Sequence, residues 1–268
     1  VRETAVHPTA IVDPAAAIGS GVVIGPYCLV GPNVRLGDGA TLKSHVVVDG
    51  RTVIGPDTTV YPFATIGLEP QDLKYAGEPS QLEIGSGNVI REHVTMHTGT
   101  EGGGMVTRIG DGGLFMVGVH VAHDCQIGDR VVLANNAALA GHVTIGDEAI
   151  LGGLAAVHQF VRIGTRAIVG AMTAVDRDVI PYGSVKGHRG TLSGLNLVGM
   201  RRRGIARADI EVATDAFDLL FRGPGALRER IAALEATSPD DPRVLEILSF
   251  LRSDPSRPVC QPPVSGTP

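Results

Sequence analysis

Residues 121–164 read VAHDCQIGDRVVLANNAALAGHVTIGDEAILGGLAAVHQFVRIG. Val121, Ile127, Leu133, Leu139, Ile145, Leu151, Val157 and Ile163 mark every sixth position of it. That period matches neither the α-helical repeat of about 3.6 nor the strict alternation of a half-buried strand. It fits a β-helix of hexapeptides, in which short strands and tight turns stack into a solenoid. Working outward, the phase continues through Val169 to Val175 and back through Phe115 to Ile109. One residue out of step, it recurs at Met96, Ile90 and Ile84, and then from Ile66 in sixes down to Val6.

Composition agrees with a thin, aliphatic interior. Aromatic residues make up 4% of the chain, Trp is absent, and the 36 Gly suit repeated turns. The formal charge of −5 gives no support to a nucleic-acid partner. Cys28, Cys125 and Cys260 are few, odd in number and scattered, which suits a reducing compartment better than a disulfide framework. The first residues, VRETAVHPTA, lack the basic and apolar regions of a signal peptide, and no apolar run is long enough to cross a bilayer. A cytoplasmic protein with no stable membrane insertion is expected.

The repeat breaks twice, at 68–81 (LEPQDLKYAGEPSQ) and at 98–108. Both stretches read as loops, the usual carriers of binding residues on a rigid scaffold. The rhythm dissolves at Pro181. Helical spacing then appears near 207–222, 225–237 and 242–252. The expected organisation is a β-helix over 1–190, a helical domain over 191–253 that caps the solenoid's open edge, and a disordered Pro- and Ser-rich tail over 254–268.

Three hexads make a coil of 18 residues, so residues 18 apart stack about 4.8 Å above one another. His123 then lies below Gly141 and Gln159, and Asp124 below His142 and Phe160. His158 stands beside Gln159. None of these histidines occupies the inward phase, so His123, His142, His158 and Gln159 gather with Asp124 on one outer face. An imidazole titrates near neutrality, which suits His123 to general-base work. A glycine at 141 leaves its N–H open, as an oxyanion donor requires. The same histidines could hold zinc if further ligands converged on them. Arg201, Arg202, Arg203 and Arg207 could meet phosphates through forked hydrogen bonds, or could be a solvated face.

Several segments resemble the UDP-N-acetylglucosamine O-acyltransferase family that begins lipid A synthesis. They are His7-Pro8-Thr9-Ala10, Leu42-Lys43-Ser44-His45, Gln71-Asp72-Leu73-Lys74-Tyr75-Ala76-Gly77-Glu78, Ala122-His123-Asp124-Cys125, Leu139-Ala140-Gly141-His142, Ala156-Val157-His158-Gln159-Phe160 and Arg202-Arg203-Gly204. The resemblance implies a mainly β protein: a left-handed parallel β-helix with a C-terminal α-helical domain, assembled as a homotrimer. It implies transfer of a 3-hydroxyacyl chain from acyl carrier protein to the 3-position of UDP-N-acetylglucosamine, without cofactor or metal. Carried over by position, His123 is the general base, Asp124 its partner and Gly141 the oxyanion donor. Gln71, Asp72, Lys74, His97, His120, His142, His158, Gln159, Asn196, Arg202 and Arg203 would bind substrate, and Ala171 would close the acyl groove. Val198 stands where the family pattern has Glu, and Arg189 where it has His.

A basic rim for the acidic carrier protein is expected at Arg162, Arg166 and Lys186. The alternatives are the sister N-acyltransferase, which carries an additional uridine-binding domain before its repeats, a γ-class carbonic anhydrase with bound zinc, and a non-catalytic solenoid.

Overall fold

The computed structural model describes residues 3–237 and 240–263. From Ala5 to Val175 the chain coils through parallel sheets, most of its strands only two residues long. Successive strands enter three sheets in rotation, so each coil contributes one strand to each face of a prism. Pairing follows the sequence period: Val121 lies beside Leu139, and Leu139 beside Val157.

Each hexad turns two side chains inward. The long aliphatic position, including Leu133, Leu139, Ile145 and Leu151, is buried, and so is the smaller position two residues earlier, including Val131, Ala137, Val143 and Ala149. Alternating large and small side chains fill the narrow core. At the corners the chain turns through the left-handed region, often with a side chain present: Asn136, Glu148, Leu154 and Arg166 have φ values of 58°, 57°, 60° and 58°.

Both insertions leave the stack at one corner. The first joins the strand Thr65–Leu68 to Gln81–Ile84, and the second joins Thr95–His97 to Val106–Ile109. Pairing resumes across both, with Thr65 beside Thr95 and Gln81 beside Val106; the register slips only at the edge of the loop, where Leu68 lies beside His97. The extra residues are extruded, so the interior keeps its register.

The solenoid does not pass directly into helix. Residues Thr191–Leu195 form an antiparallel strand against Gly183–Lys186, where the sequence pattern had placed the start of the helical domain. Leu192 is fully buried there, and Gly187 and Gly190 supply the positive φ of the turn. Among the described residues four helices follow: α1 (Leu197–Arg202), α2 (Arg207–Arg222), α3 (Leu227–Thr237) and α4 (Pro242–Ser253). Helix α2 buries Ile210, Ala213, Phe217, Leu220 and Phe221, the spacing of one helical face. Helix α4 starts with Pro242 and is capped by the Asp241 carboxylate, which accepts from the Arg243 and Val244 N–H groups.

The expectation of a disordered tail is corrected over residues 254–263; residues 264–268 lie outside the described residues. Arg257 donates to the buried carboxylate of Asp178 at 3.1 Å, and Arg162 reaches the same carboxylate at 2.7 Å. The Cys260 N–H donates to the Asp178 carbonyl, and the Leu192 N–H to that of Gln261. Cys260 is 1% exposed. Pro and Ser composition did not reveal this strap, because its order comes from one distant carboxylate and one buried thiol.

Removing a partner from a buried charge group leaves the remaining charges uncompensated. Asp178→Ala should therefore cost about 3 kcal/mol of unfolding free energy in urea titrations. Amide exchange at 259–261 should accelerate with it; unchanged protection there would show that the strap does not depend on Asp178.

Candidate active site

The corner that extrudes both loops continues upward as Asp124, His142 and Phe160, each at positive φ. His142 stacks on Phe160 with ring centroids 4.3 Å apart, and the edge of one imidazole meets the face of another between His123 and His142 at 5.0 Å. The His142 N–H donates to the His123 carbonyl, and the Phe160 N–H to the Gly141 carbonyl. Stacking by coils thus brings His123, Gly141, His142 and the neighbouring His158 and Gln159 to one wall, with the last two exposed.

Asp124 departs from the expected outer face. Its side chain is inaccessible to solvent, covered by the 98–108 segment. The carboxylate accepts from the Thr100 N–H, the Thr100 hydroxyl and His123 Nδ1, the last at 2.8 Å. An ionised carboxylate only accepts, so Nδ1 carries the proton and Nε2 keeps a free lone pair. A Cβ built on Gly141 would overlap the His123 ring. Glycine at 141 is therefore required for the ring to stand where it does. Among the described residues, the Gly141 N–H donates to no protein acceptor.

His142 Nδ1 lies 3.8 Å from the Asp124 carboxylate. Burial holds His142 below the ordinary imidazole range, opposed by Asp124 and reinforced by His123. Asp72 and Lys74 of the first loop also act on His142 through space, the first raising it and the second lowering it. Burial likewise lowers His120, with His97 and His123 adding to the effect. His120 Nδ1 is 2.7 Å from the Thr95 hydroxyl.

Beside this wall lies a cavity of about 610 Å³, lined by Gln71, Tyr75 and Glu78 of the first loop and by Asp49, Arg51 and His97 of the solenoid. His97 Nδ1 is 2.6 Å from the Glu69 carbonyl. Its Nε2 is buried without a hydrogen-bond partner among the described residues. Unpaired buried nitrogen is costly, so this atom is fitted to a ligand or water. The two loops are tied together: Glu78 accepts from the Glu101 N–H, and the Ser80 hydroxyl donates to Thr98.

A scan of known families matches residues 178–260 to "Udp N-acetylglucosamine O-acyltransferase; Domain 2" and residues 15–50 to bacterial transferase hexapeptide repeats. The acyl-[acyl-carrier-protein]–UDP-N-acetylglucosamine O-acyltransferase of Paracoccus denitrificans is 56% identical over 192 residues, 72% of each chain. That of Caulobacter vibrioides is 59% identical over 203 residues, 76% of this chain and 77% of its own.

The chain belongs to the UDP-N-acetylglucosamine O-acyltransferase family.

Its architecture agrees. The Moraxella catarrhalis UDP-N-acetylglucosamine O-acyltransferase superposes with a TM-score of 0.92 at 41% identity, covering 96% of this chain and 99% of that one. The Francisella novicida UDP-N-acetylglucosamine acyltransferase gives 0.93 at 33% identity, covering 96% and 94%. The fold is the left-handed parallel β-helix with C-terminal helices that the resemblance implied.

Other expected residues lie elsewhere on the chain. Asn196 caps α1 through the Gly199 N–H and donates Nδ2–H to the Arg166 carbonyl. Arg203 pairs with Glu148, and Arg202 is exposed. Glu148 and Arg166 belong to a different corner from His123, and exposed Ala171 to the third corner. The expected basic rim is largely consumed within the chain. Arg162 is paired with Asp178, and Arg166 with Glu148 and Tyr182, which leaves Lys186 exposed. What the sequence missed here is Thr100, whose only written signal was its place beside the Gly102-Gly103-Gly104 run.

His123, Asp124 and His142 offer donor atoms within 4.8 Å of one another, a set able to hold a divalent ion. The carboxylate, however, already accepts from Thr100 and His123. Cys125 points into the core, and burial pushes its thiol up to about 12, which makes it a poor nucleophile.

Cys125→Ala should keep turnover within about threefold, because a small core residue replaces an inert one. Gly141→Ala should lower kcat by about a hundredfold by displacing the His123 ring and the N–H beside it. Dialysis against a chelator, followed by the same assay, should leave activity unchanged. Loss restored by zinc would establish a metal enzyme instead.

Proposed function

We propose that this protein transfers a 3-hydroxyacyl chain from acyl carrier protein to the 3-hydroxyl of UDP-N-acetylglucosamine, the first step of lipid A synthesis. The observation that carries the mechanism is the His123–Asp124 hydrogen bond, which leaves Nε2 as the free base beside Gly141. His123 Nε2 takes the proton of the sugar hydroxyl as its oxygen attacks the thioester carbonyl. The Gly141 N–H receives the developing oxyanion. As the tetrahedral intermediate collapses, the C–S bond breaks, and the proton passes from His123 to the departing thiolate. The thioester is already activated, so no acyl-enzyme is required.

Asp72, Lys74, Gln71, His97, His120, His142, His158 and Gln159 belong in this reading to the sugar and acyl subsites of one wall. Asn196 and Arg203 bond to the corner of Arg166 and Glu148, Arg202 is exposed on α1, and Ala171 stands at the third corner. They can serve the same substrates if a neighbouring copy presents them, which is the support for a homotrimer with active sites between subunits. Asn196 and Arg203 would act while retaining their internal bonds, or after exchanging them. Among the described residues no helix is long and apolar enough to cross a membrane. The reading places the enzyme in the cytoplasm, without cofactor, metal, nucleic acid or membrane insertion.

Residue 171 lies 48 positions beyond His123, about 2.7 coils or roughly 13 Å along the axis. An extended chain of about ten carbons spans that height, so a donor of about 12 to 14 carbons is expected.

His123→Ala should reduce turnover by at least about a hundredfold when acylated sugar nucleotide is followed by mass spectrometry. Near-parental turnover would remove His123 from the mechanism. With a mixed pool of acyl carrier proteins, Ala171→Gly should favour longer products and Ala171→Met shorter ones, by about tenfold or more in selectivity. An unchanged product distribution in both variants would place the end of the groove elsewhere. Sedimentation at assay concentration should give three chains; a fully active monomer would exclude the shared site.

A further inference from the structure

Asp124 has more partners than the base it serves. The Thr100 N–H donates to Oδ1 at 2.9 Å, and the Thr100 hydroxyl donates to Oδ2 at 2.6 Å. Oδ2 is also the oxygen that accepts His123 Nδ1–H. Thr100 is 5% exposed and Asp124 3%. The arrangement is closely built. A Cβ on Gly103 would overlap the carboxylate, and one on Gly99 would crowd it too. The Thr100 carbonyl accepts from the Met105 and Gly103 N–H groups, and the Gly99 N–H donates to the Gln81 carbonyl, so the segment that carries Thr100 is itself held. The glycines therefore let a backbone loop close over a carboxylate that any side chain would push aside.

We propose that Thr100 is a positioning residue of the transferase: by donating twice to Asp124 it sets both the orientation and the basicity of His123. This rests on the reading of His123 as the base. Two donors on separate oxygens fix the plane of the carboxylate, which an Asp held by His123 alone could rotate. The hydroxyl also withdraws charge from the oxygen that faces the imidazole. Without it, Oδ2 is a stronger acceptor and stabilises the imidazolium more. A larger share of the enzyme then carries a protonated, useless base at low pH. Among the described residues, the other titratable groups around this pair are His142, which approaches His123 edge-on and Asp124 through Nδ1, His120 beside His123, and the core thiol Cys125 beside Asp124; Asp72 and Lys74 act on His142. The Thr107 hydroxyl accepts from the Asp124 N–H and fixes the backbone rather than the carboxylate.

The test is Thr100→Val, which keeps shape and backbone donor and removes the hydroxyl, measured on the full-length enzyme with both substrates. The plateau kcat should fall about three- to tenfold, the worth of one hydrogen bond, with KM values within about twofold. The acid limb of kcat/KM against pH should move upward by about half a unit to one unit. Thr100→Ser should restore both. If Thr100→Val loses the cooperative melt of the parent, Thr100→Ala removes the same hydroxyl from a smaller side chain and takes the same measurements. A folded Thr100→Val or Thr100→Ala enzyme with the parent's kcat and acid limb overturns the inference, and so does a fall in kcat with the limb unmoved. An active His123→Ala enzyme would instead overturn the reading beneath it.

Discussion

Parallel pairing from coil to coil is the constraint on which the molecule depends. A strand of two residues has little stability alone. It persists because each neighbour, one coil above or below, presents the same backbone register and an inward side chain of compatible size. The stack tolerates additions only where backbone can leave and return to the same point. The two insertions obey this, since Gln81 pairs with both Arg51 and Val106 although both neighbouring coils are longer than the rest. Because they leave at one corner in successive coils, the loops lie against the residues that continue that corner. The site's location thus follows from where the repeat can be interrupted.

A second constraint joins helices to solenoid. Glu148, on another corner, is bound by Arg166 of the next coil, by Arg203 after α1 and more loosely by Arg130. Its carboxyl is lowered to about 2, chiefly by the Arg166 hydrogen bond. A lowered acid contributes stability above its unfolded value, near the ordinary carboxylate range, and loses it as pH falls towards 2. Tyr182 extends the link, receiving from Arg166 and donating to Glu246 of α4. Charged groups that might have faced a substrate or a carrier protein are thereby spent on holding the helices in place.

Much of this was legible because the period of six is global. Burial at Val121, Leu133 and Leu151, and the stacking of Asp124, His142 and Phe160, require only counting. Helix α2 was equally visible, since one apolar stripe from Ile210 to Phe221 is a local property. Three features were not. Asp124 reads as an outward corner residue, and only the return of a loop 24 residues earlier buries it. The strand 191–195 is set by partners at 183–186 and by glycine turns, within a stretch whose pattern already suggested helix. The order of residues 254–263 depends on Asp178, 79 residues from Arg257. Each of these depends on a contact that no nearby periodicity encodes.

The corners have a consequence for how such an enzyme can change. Asp124, His142 and Phe160 hold φ values of 59°, 62° and 65°. Side-chain-bearing residues adopt that region at a cost of about 1 kcal/mol or more, which glycine largely avoids. Asp124, His142 and Phe160 are therefore strained positions on the wall that carries the base, and selection for heat resistance alone would erode them towards glycine or asparagine. Their persistence as Asp, His and Phe would be a record of selection for chemistry, readable in a set of descendants evolved with and without demand for the product.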